Sequence, residues 1–254
     1  MISPVRMQAF SLPLGILRPA GGGRPVRVRA TASEILDGEV ADLRMLQGSF
    51  AEVWGVNRYL GGMAVLQRHL APWLRRWHVS LLDVAAGNGD VAAALHDWAG
   101  RRGLSLQVTL MDNHPQVLGL ARQRTSSLPA FTVVDGDARR LPFADGEFDV
   151  AVCNLALHHF EPEAAAAVLR EINRVSRLGW VVTDLERHPL AHAAAQVMAR
   201  SVWRNPITRH DGPLSVRRAY RADEVREMLW QDGLTARVYR HFPFRWAAVC
   251  CRRL

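Results

Sequence analysis

The chain is 254 residues long and 49% apolar, enough for a substantial core, and its three cysteines are too few and too poorly spaced for a disulfide framework or a zinc site. No apolar run reaches the ~20 residues that a membrane-spanning helix needs. The formal charge of +8 is no nucleic-acid signature: residues 1–33 hold Arg6, Arg18, Arg24, Arg27 and Arg29 and no acid, the remainder carries only +3, and the chain contains no lysine.

In chain order, residues 1–33 are rich in Arg, Gly and Pro and read as a flexible tail. The short apolar patch from Ala9 to Leu17 contains Pro13, which counts against a secretion signal, and the cytoplasm is the expected compartment. Residues 34–78 read as a helical cap. Leu43, Leu46, Phe50, Val53 and Trp54 recur at three- and four-residue spacing, residues 57–62 form a break ending in Gly61 and Gly62, and Met63 to Trp77 is a second amphipathic segment. Arg58, in the break, is expected to be exposed.

Residues 79–254 alternate strands and helices. Val79 to Leu82 is an apolar strand closed by Asp83, Ala85-Ala86-Gly87-Asn88-Gly89 is a tight turn, and Val91 to Trp98 has the composition of a helix. Such a unit offers bare backbone and a helix N-terminus to a ligand. The spacing Gly87-x-Gly89-x-x-Ala92, with Asp112 as a ribose acid, also fits a dinucleotide fingerprint. Asp83 separates the two readings. A carboxylate just ahead of the turn repels a pyrophosphate and suits a cation, such as the ammonium and sulfonium groups of S-adenosylmethionine (SAM). An NAD(P)-dependent oxidoreductase and a SAM-binding protein without catalysis are the alternatives.

Leu106 to Met111 is a second strand ending in Asp112, whose carboxylate can accept both ribose hydroxyls, and Asn113 borders the adenine. Pro115 opens a helix to about Arg124. Phe131 to Val134 is the third strand, after which Asp137 and the Ala138 N–H are placed to meet the adenine edge. Val150 to Cys153 is the fourth, apolar throughout, with Asp149 at its start as a structural acid. The segment after it, Asn154 to Phe160, lies where parallel sheets bind ligands. His158 and His159 are its candidate general bases. Neighbouring histidines are not expected to face one point, and without an acid partner no metal site is expected.

Glu163 to Arg177 reads as a helix, Gly179 to Thr183 as a fifth strand ending at Asp184, and His188-Pro189 as the start of a helix running to Trp203. Residues 204–221 are polar and turn-rich and read as an inserted substrate loop. There Arg209, His210 and Arg217 would contact an anionic or phenolic acceptor, with His210 as a reserve base. Ala222 to Trp230 is a last helix, and Thr235–His241 with Phe244–Cys250 form a closing hairpin around Pro243. The expected fold is α/β: a Rossmann-like, seven-stranded, mostly parallel sheet with an antiparallel last strand, helices on both faces and an N-terminal helical cap.

The stretches LLDVAAGNGD, LMDNHP and GDARRLPFADGEFDVAVCNLALHHF together resemble the motifs of class I SAM-dependent methyltransferases. They are most similar to the ubiquinone/menaquinone C-methyltransferase-like branch (methyltransferase type 11), over roughly Leu81 to Cys250. The resemblance implies SAM as cofactor, held by Asp83, Gly87, Gly89, Asp112, Asp137 and Ala138, with Asn154 at its methionine end. Ala85 stands where that family has its first glycine and is expected to tighten the turn slightly. The quinone enzymes carry other residues at the positions of His158 and His159. The implied acceptor is therefore a small phenolic, quinol or polyketide-like molecule, methylated on oxygen or carbon, rather than a nucleic acid.

Overall fold

The strands read from the sequence form one sheet. In the computed structural model, which describes residues 26, 28–74 and 78–252, they are β1 (His78–Val84), β2 (Ser105–Asp112), β3 (Phe131–Asp135), β4 (Phe148–Asn154), β5 (Ser176–Leu185), β6 (Arg237–His241) and β7 (Arg245–Cys251). Their spatial order is β3-β2-β1-β4-β5-β7-β6, parallel from β3 to β5, with β7 antiparallel to both β5 and β6. The helices are α1 (Leu43–Tyr59), α2 (Gly62–Leu70), α3 (Asp90–Gly100), α4 (Pro115–Thr125), α5 (Pro162–Val175), α6 (Pro189–Ser201), α7 (Pro206–Arg218) and α8 (Ala222–Gln231).

Strand periodicity sorts side chains to two cores. From β1, Leu82 and Val84 join Ala151 and Cys153 of β4 on the face covered by α5 and α8, while Val79 and Leu81 join Val150 and Val152 beneath α2 and α3. Both faces are covered at the centre of the sheet, which is why β4 is apolar from Val150 to Cys153 without alternation, whereas β2, nearer the edge, alternates. Asp149 has the structural role expected: it accepts from the Ser80 N–H at 3.0 Å and pairs with Arg177.

Three expectations fail in part. Residues 34–42 are not helical; they run extended around a short 3-10 turn, Ile35–Asp37, and the helical cap begins at α1. Within the expected tail, residues 1–25 and 27, and with them the Ala9–Leu17 patch, lie outside the described residues, but Arg29 and Ala30 are bound in. Arg29 donates to the carbonyls of His158 (2.9 Å), Phe160 (2.8 Å) and Arg218 (2.8 Å), and the Ala30 N–H donates to Arg217 (3.0 Å). Finally, residues 204–221 are not a loop. Asn205 caps α7 through the Ile207 N–H, and Pro206 sits at the first helical position, where a missing N–H costs nothing. The Gly212-Pro213 pair, which looks like a turn, lies inside this helix; a Cβ on Gly212 would fall 2.3 Å from the Trp203 ring.

Candidate active site

A cavity of about 850 Å³ opens at the carboxyl ends of β1, β2, β4 and β5 and is roofed by α1, α6 and α7. This is where an open α/β sheet leaves a crevice. Its walls join two differently built ends.

The first end follows β1 and β2. Ala85, Gly87, Asp112 and Asn113 are on the wall. Ala85 (φ 53°), Gly87 (φ 58°) and Gly89 (φ 79°) are all left-handed, and Gly89 caps α3. A Cβ on Gly87 would lie 3.1 Å from the Phe50 ring, so this position needs glycine for its conformation and its close contact. Ala85 takes a left-handed conformation that glycine favours. The Asp112 carboxylate accepts from the Gly87 N–H (2.9 Å) and the His114 N–H (3.0 Å), which holds the turn against β2. Asp83 lies below the turn, 2% exposed, with one carboxylate oxygen that has no hydrogen-bond partner among the described residues. Burial first, and the nearby Asp112 charge second, push its carboxyl up to about 8.

Five residues assigned to the cofactor lie off the cavity wall. Besides buried Asp83, Gly89 sits at the start of α3, Asn154 accepts from Thr183 Oγ1 at 2.7 Å, Ala138 packs into a core, and Asp137 pairs with Arg139 at 2.6 Å.

The second end is assembled from distant segments. His158 and His159 belong to a 3-10 turn after β4, and both line the cavity. Contrary to expectation they converge: their ring centroids are 4.3 Å apart, and their Nε2 atoms lie 3.6 and 4.0 Å from the two oxygens of Glu34. Carboxylates on either side draw them there. Asp184, at the end of β5, accepts from His158 Nδ1 (2.9 Å) and the His158 N–H (2.9 Å), while Asp37 lies 2.6 Å from His159 Nδ1. A carboxylate only accepts, so His158 Nδ1 donates to Asp184 and its Nε2 is turned toward Glu34 and the cavity.

Helix α7 holds this arrangement. Asp211 accepts from the Ile35 (2.9 Å) and Leu36 (3.1 Å) N–H groups, Ser215 donates to Glu34 (2.9 Å), and Arg218 donates to Asp37 (2.6 Å) and to the His159 carbonyl (3.0 Å). Burial is the main reason the Glu34 carboxyl rises to about 7, opposed by His159 and Arg218. At Asp37 burial pushes the same way, but the hydrogen bonds from His159 and Arg218 outweigh it and hold the group well below the usual carboxylate range. The Glu34, His158 and His159 donor atoms lie within 4.8 Å of one another, a spacing a metal ion could span. The acid partner missing from the sequence reading is therefore present, although the Arg218 guanidinium, 3.6 Å from Glu34, already supplies positive charge there.

Arg209, His210 and Arg217 are not brought to the cavity. Arg209 donates to the Ala199 carbonyl (2.8 Å), and His210 is turned to Asp211 (2.7 Å). The wall residues of α7 are Thr208, Asp211, Gly212, Ser215, Val216 and Arg218. They form one helical face at three- and four-residue spacing, which a helix reading of this stretch finds. Asp184 was legible as a strand-end acid; nothing in the sequence pointed to Glu34, Asp37 or Arg245.

Residues 81–179 match a family model described as a methyltransferase domain. A demethylmenaquinone methyltransferase of Staphylococcus epidermidis (strain ATCC 35984) is 37% identical over 105 residues, 41% of this chain and 42% of that protein. One from Staphylococcus aureus (strain MRSA252) is 36% identical over the same shares. The chain thus spans less than half the length of these curated relatives. Among solved structures, a SAM-dependent methyltransferase from Aquifex aeolicus has a TM-score of 0.52 at 16% identity, covering 72% of this chain and 87% of that one. Magnesium protoporphyrin IX methyltransferase from Synechocystis PCC 6803 with bound S-adenosylhomocysteine (SAH) has a TM-score of 0.53 at 14% identity, covering 85% and 90%. At these identities the likeness is one of fold.

Proposed function

We propose that this chain transfers a methyl group from SAM to a small-molecule acceptor, a reading supported by the match of residues 81–179 to a methyltransferase domain model and by a fold similar to that of a SAM-dependent methyltransferase. The acceptor is phenolic, quinol or polyketide-like, and the target is oxygen or carbon. One observation carries the reading: Ala85, Gly87 and Asp112 share a single cavity wall with His158. The residues fit the cofactor. Asp83, off the cavity wall, keeps beside the turn a buried carboxylate oxygen with no hydrogen-bond partner among the described residues, a charge that would act on a cation through space, and Asp112 stands on the wall at the end of β2 with acceptor capacity for ribose hydroxyls.

SAM supplies a methyl group on a cationic sulfur that is already a good leaving group. The protein's part is therefore positioning, exclusion of water and removal of one proton. Phe50, Val53, Met198, Trp203 and Val216 give the cavity apolar walls for the body of the acceptor. His158 Nε2 takes the acceptor proton as general base, while Asp184 fixes its tautomer and balances the imidazolium that forms. Glu34, 3.6 Å beyond, is the next proton-holding group.

The test is calorimetric titration with SAH, followed by incubation with methyl-labelled SAM and a panel of phenols, quinols, demethylmenaquinone and polyketide acids. SAH should bind, and label should appear in at least one class. No heat with SAH sinks the proposal.

A further inference from the structure

Arg245, the first residue of β7, is 1% exposed and lines the cavity with Leu60, Leu185, Pro243 and Phe244. Its Nε donates to the Leu60 carbonyl at 3.0 Å. Its two terminal nitrogens are buried and have no hydrogen-bond acceptor among the described residues. None of the ion pairs among those residues reaches it; Asp184, the acid that acts on it through space, is bonded to His158. Burial lowers its pKa to about 10, so it stays charged at neutral pH. An unpaired buried guanidinium is costly, and its one hydrogen bond, to the Leu60 carbonyl, leaves both terminal nitrogens unused; an apolar side chain of similar length would fill the place without that cost.

We propose that Arg245 is the docking point for a carboxylate carried by the methyl acceptor. The planar fork still has two NH2 groups to offer, the geometry that binds a carboxylate through two parallel hydrogen bonds. The cation is already desolvated in the protein, so an arriving anion has only its own desolvation to offset. The neighbouring apolar walls suit a hydrocarbon body attached to that carboxylate. The cofactor also carries a carboxylate, but β7 is the third strand along from β1, roughly 14 Å from the glycine turn at ~4.8 Å per strand. That distance favours the acceptor. The inference rests on the cavity being an acceptor site and narrows its ligand from any phenol or quinol to an acid.

The experiment compares acid–amide pairs of matched shape: formate with formamide, benzoate with benzamide, octanoate with octanamide. Binding to the SAH-loaded protein is followed by calorimetry and thermal shift, in the wild type and in Arg245→Met. At least one acid should bind about tenfold or more tighter than its amide. Arg245→Met should erase that preference, keep SAH affinity within about twofold, and melt no lower than the wild type. Acids no better than amides throughout, or a preference that survives in Arg245→Met, overturns the proposal. So does a lowered melting temperature with ligand preference intact, which would make Arg245 a structural clasp on Leu60. Loss of SAH affinity with acid preference intact would assign the guanidinium to the cofactor's carboxylate and overturn the acceptor assignment. Failure of SAH to bind the wild type is a separate result that strikes the methyltransferase reading itself.

Discussion

The two ends of the cavity are built by opposite strategies. The end proposed for the cofactor is one stretch of chain: strand, turn, helix and the next strand end, from Asp83 to Asn113, fixed by local hydrogen bonds such as Gly87 N–H to Asp112. The end proposed for the acceptor draws Glu34, Asp37, His158, His159, Asp184 and Arg218 from four separate places, tied by hydrogen bonds across as many as 181 residues of sequence. A contiguous end is specified by turn chemistry and changes little when the rest of the chain changes. An assembled end is specified by pairwise charge, so its chemistry is free to vary while the first end stays put. The match to the methyltransferase domain model, residues 81–179, covers the first end whole and only the histidines of the second.

The comparison breaks most easily at His158. His158→Ala should lower turnover about a hundredfold or more while SAH affinity stays within about twofold. The variant leaves Asp184 partnered, because the backbone N–H groups of His158 and Leu185 still donate to it. Turnover near wild type would remove the histidine as base. At the other end, Asp112→Ala should weaken SAH binding by roughly 1.5–3 kcal/mol, the scale of a charge-assisted hydrogen bond, and leave turnover at saturating SAM close to wild type. Unchanged SAH affinity in calorimetry would detach Asp112 from the ribose.

A third effect concerns Asp83 and pH. Its carboxyl, raised to about 8 by burial, keeps its proton in the folded protein while the unfolded chain releases it near 4. The unfolded state therefore gains relative to the folded as pH rises from about 4 to 8, and the cost is constant above that. Asp83→Asn should flatten this slope in urea titrations across the same window. A ligand that brings an ammonium group near the turn, as SAH does, acts in reverse by favouring the ionised carboxylate. SAH binding near pH 7 should thus release protons, seen as a buffer-dependent heat. Equal heats in phosphate and Tris would argue that Asp83 stays protonated and serves only the turn.

What could be read in advance follows the same division. The glycine turn, the strand ends at Asp112 and Asp184 and the closing hairpin were legible, because each is a local pattern with a local cause. In α7 the residue types were read correctly and the geometry was not: Gly212-Pro213 signals a turn, yet Asn205 and Pro206 start a helix that carries through both. That one error sent attention to Arg209, His210 and Arg217 when the inner face offers Asp211, Ser215 and Arg218. Glu34 and Asp37 had no signal at all. Their role exists only because Asp211 and Arg218, far along the chain, hold residues 34–37 against the two histidines. Arg245 looks like any strand residue until both neighbouring surfaces have folded over it.

The smallest predicted effect tests how tightly the contiguous end is specified. At φ 53°, Ala85 is in a region costing a non-glycine residue about 1–3 kcal/mol, which Ala85→Gly would recover. Against this stand the greater freedom of glycine in the unfolded chain, about 0.4–1 kcal/mol, and the loss of a methyl packed on the core, about 0.8 kcal/mol. The three nearly cancel, so Ala85→Gly should lie within about 1 kcal/mol of wild type, a melting shift of no more than about 4 °C, with SAH affinity unchanged. Gly87→Ala has no such compensation. It adds the same backbone cost and drives a methyl against Phe50, so it should lose stability and SAH binding together. If Ala85→Gly shifted melting well beyond that range, or if Gly87→Ala behaved as mildly, the turn would not be governed by local backbone geometry, and the contrast between the two ends would fail at its simpler side.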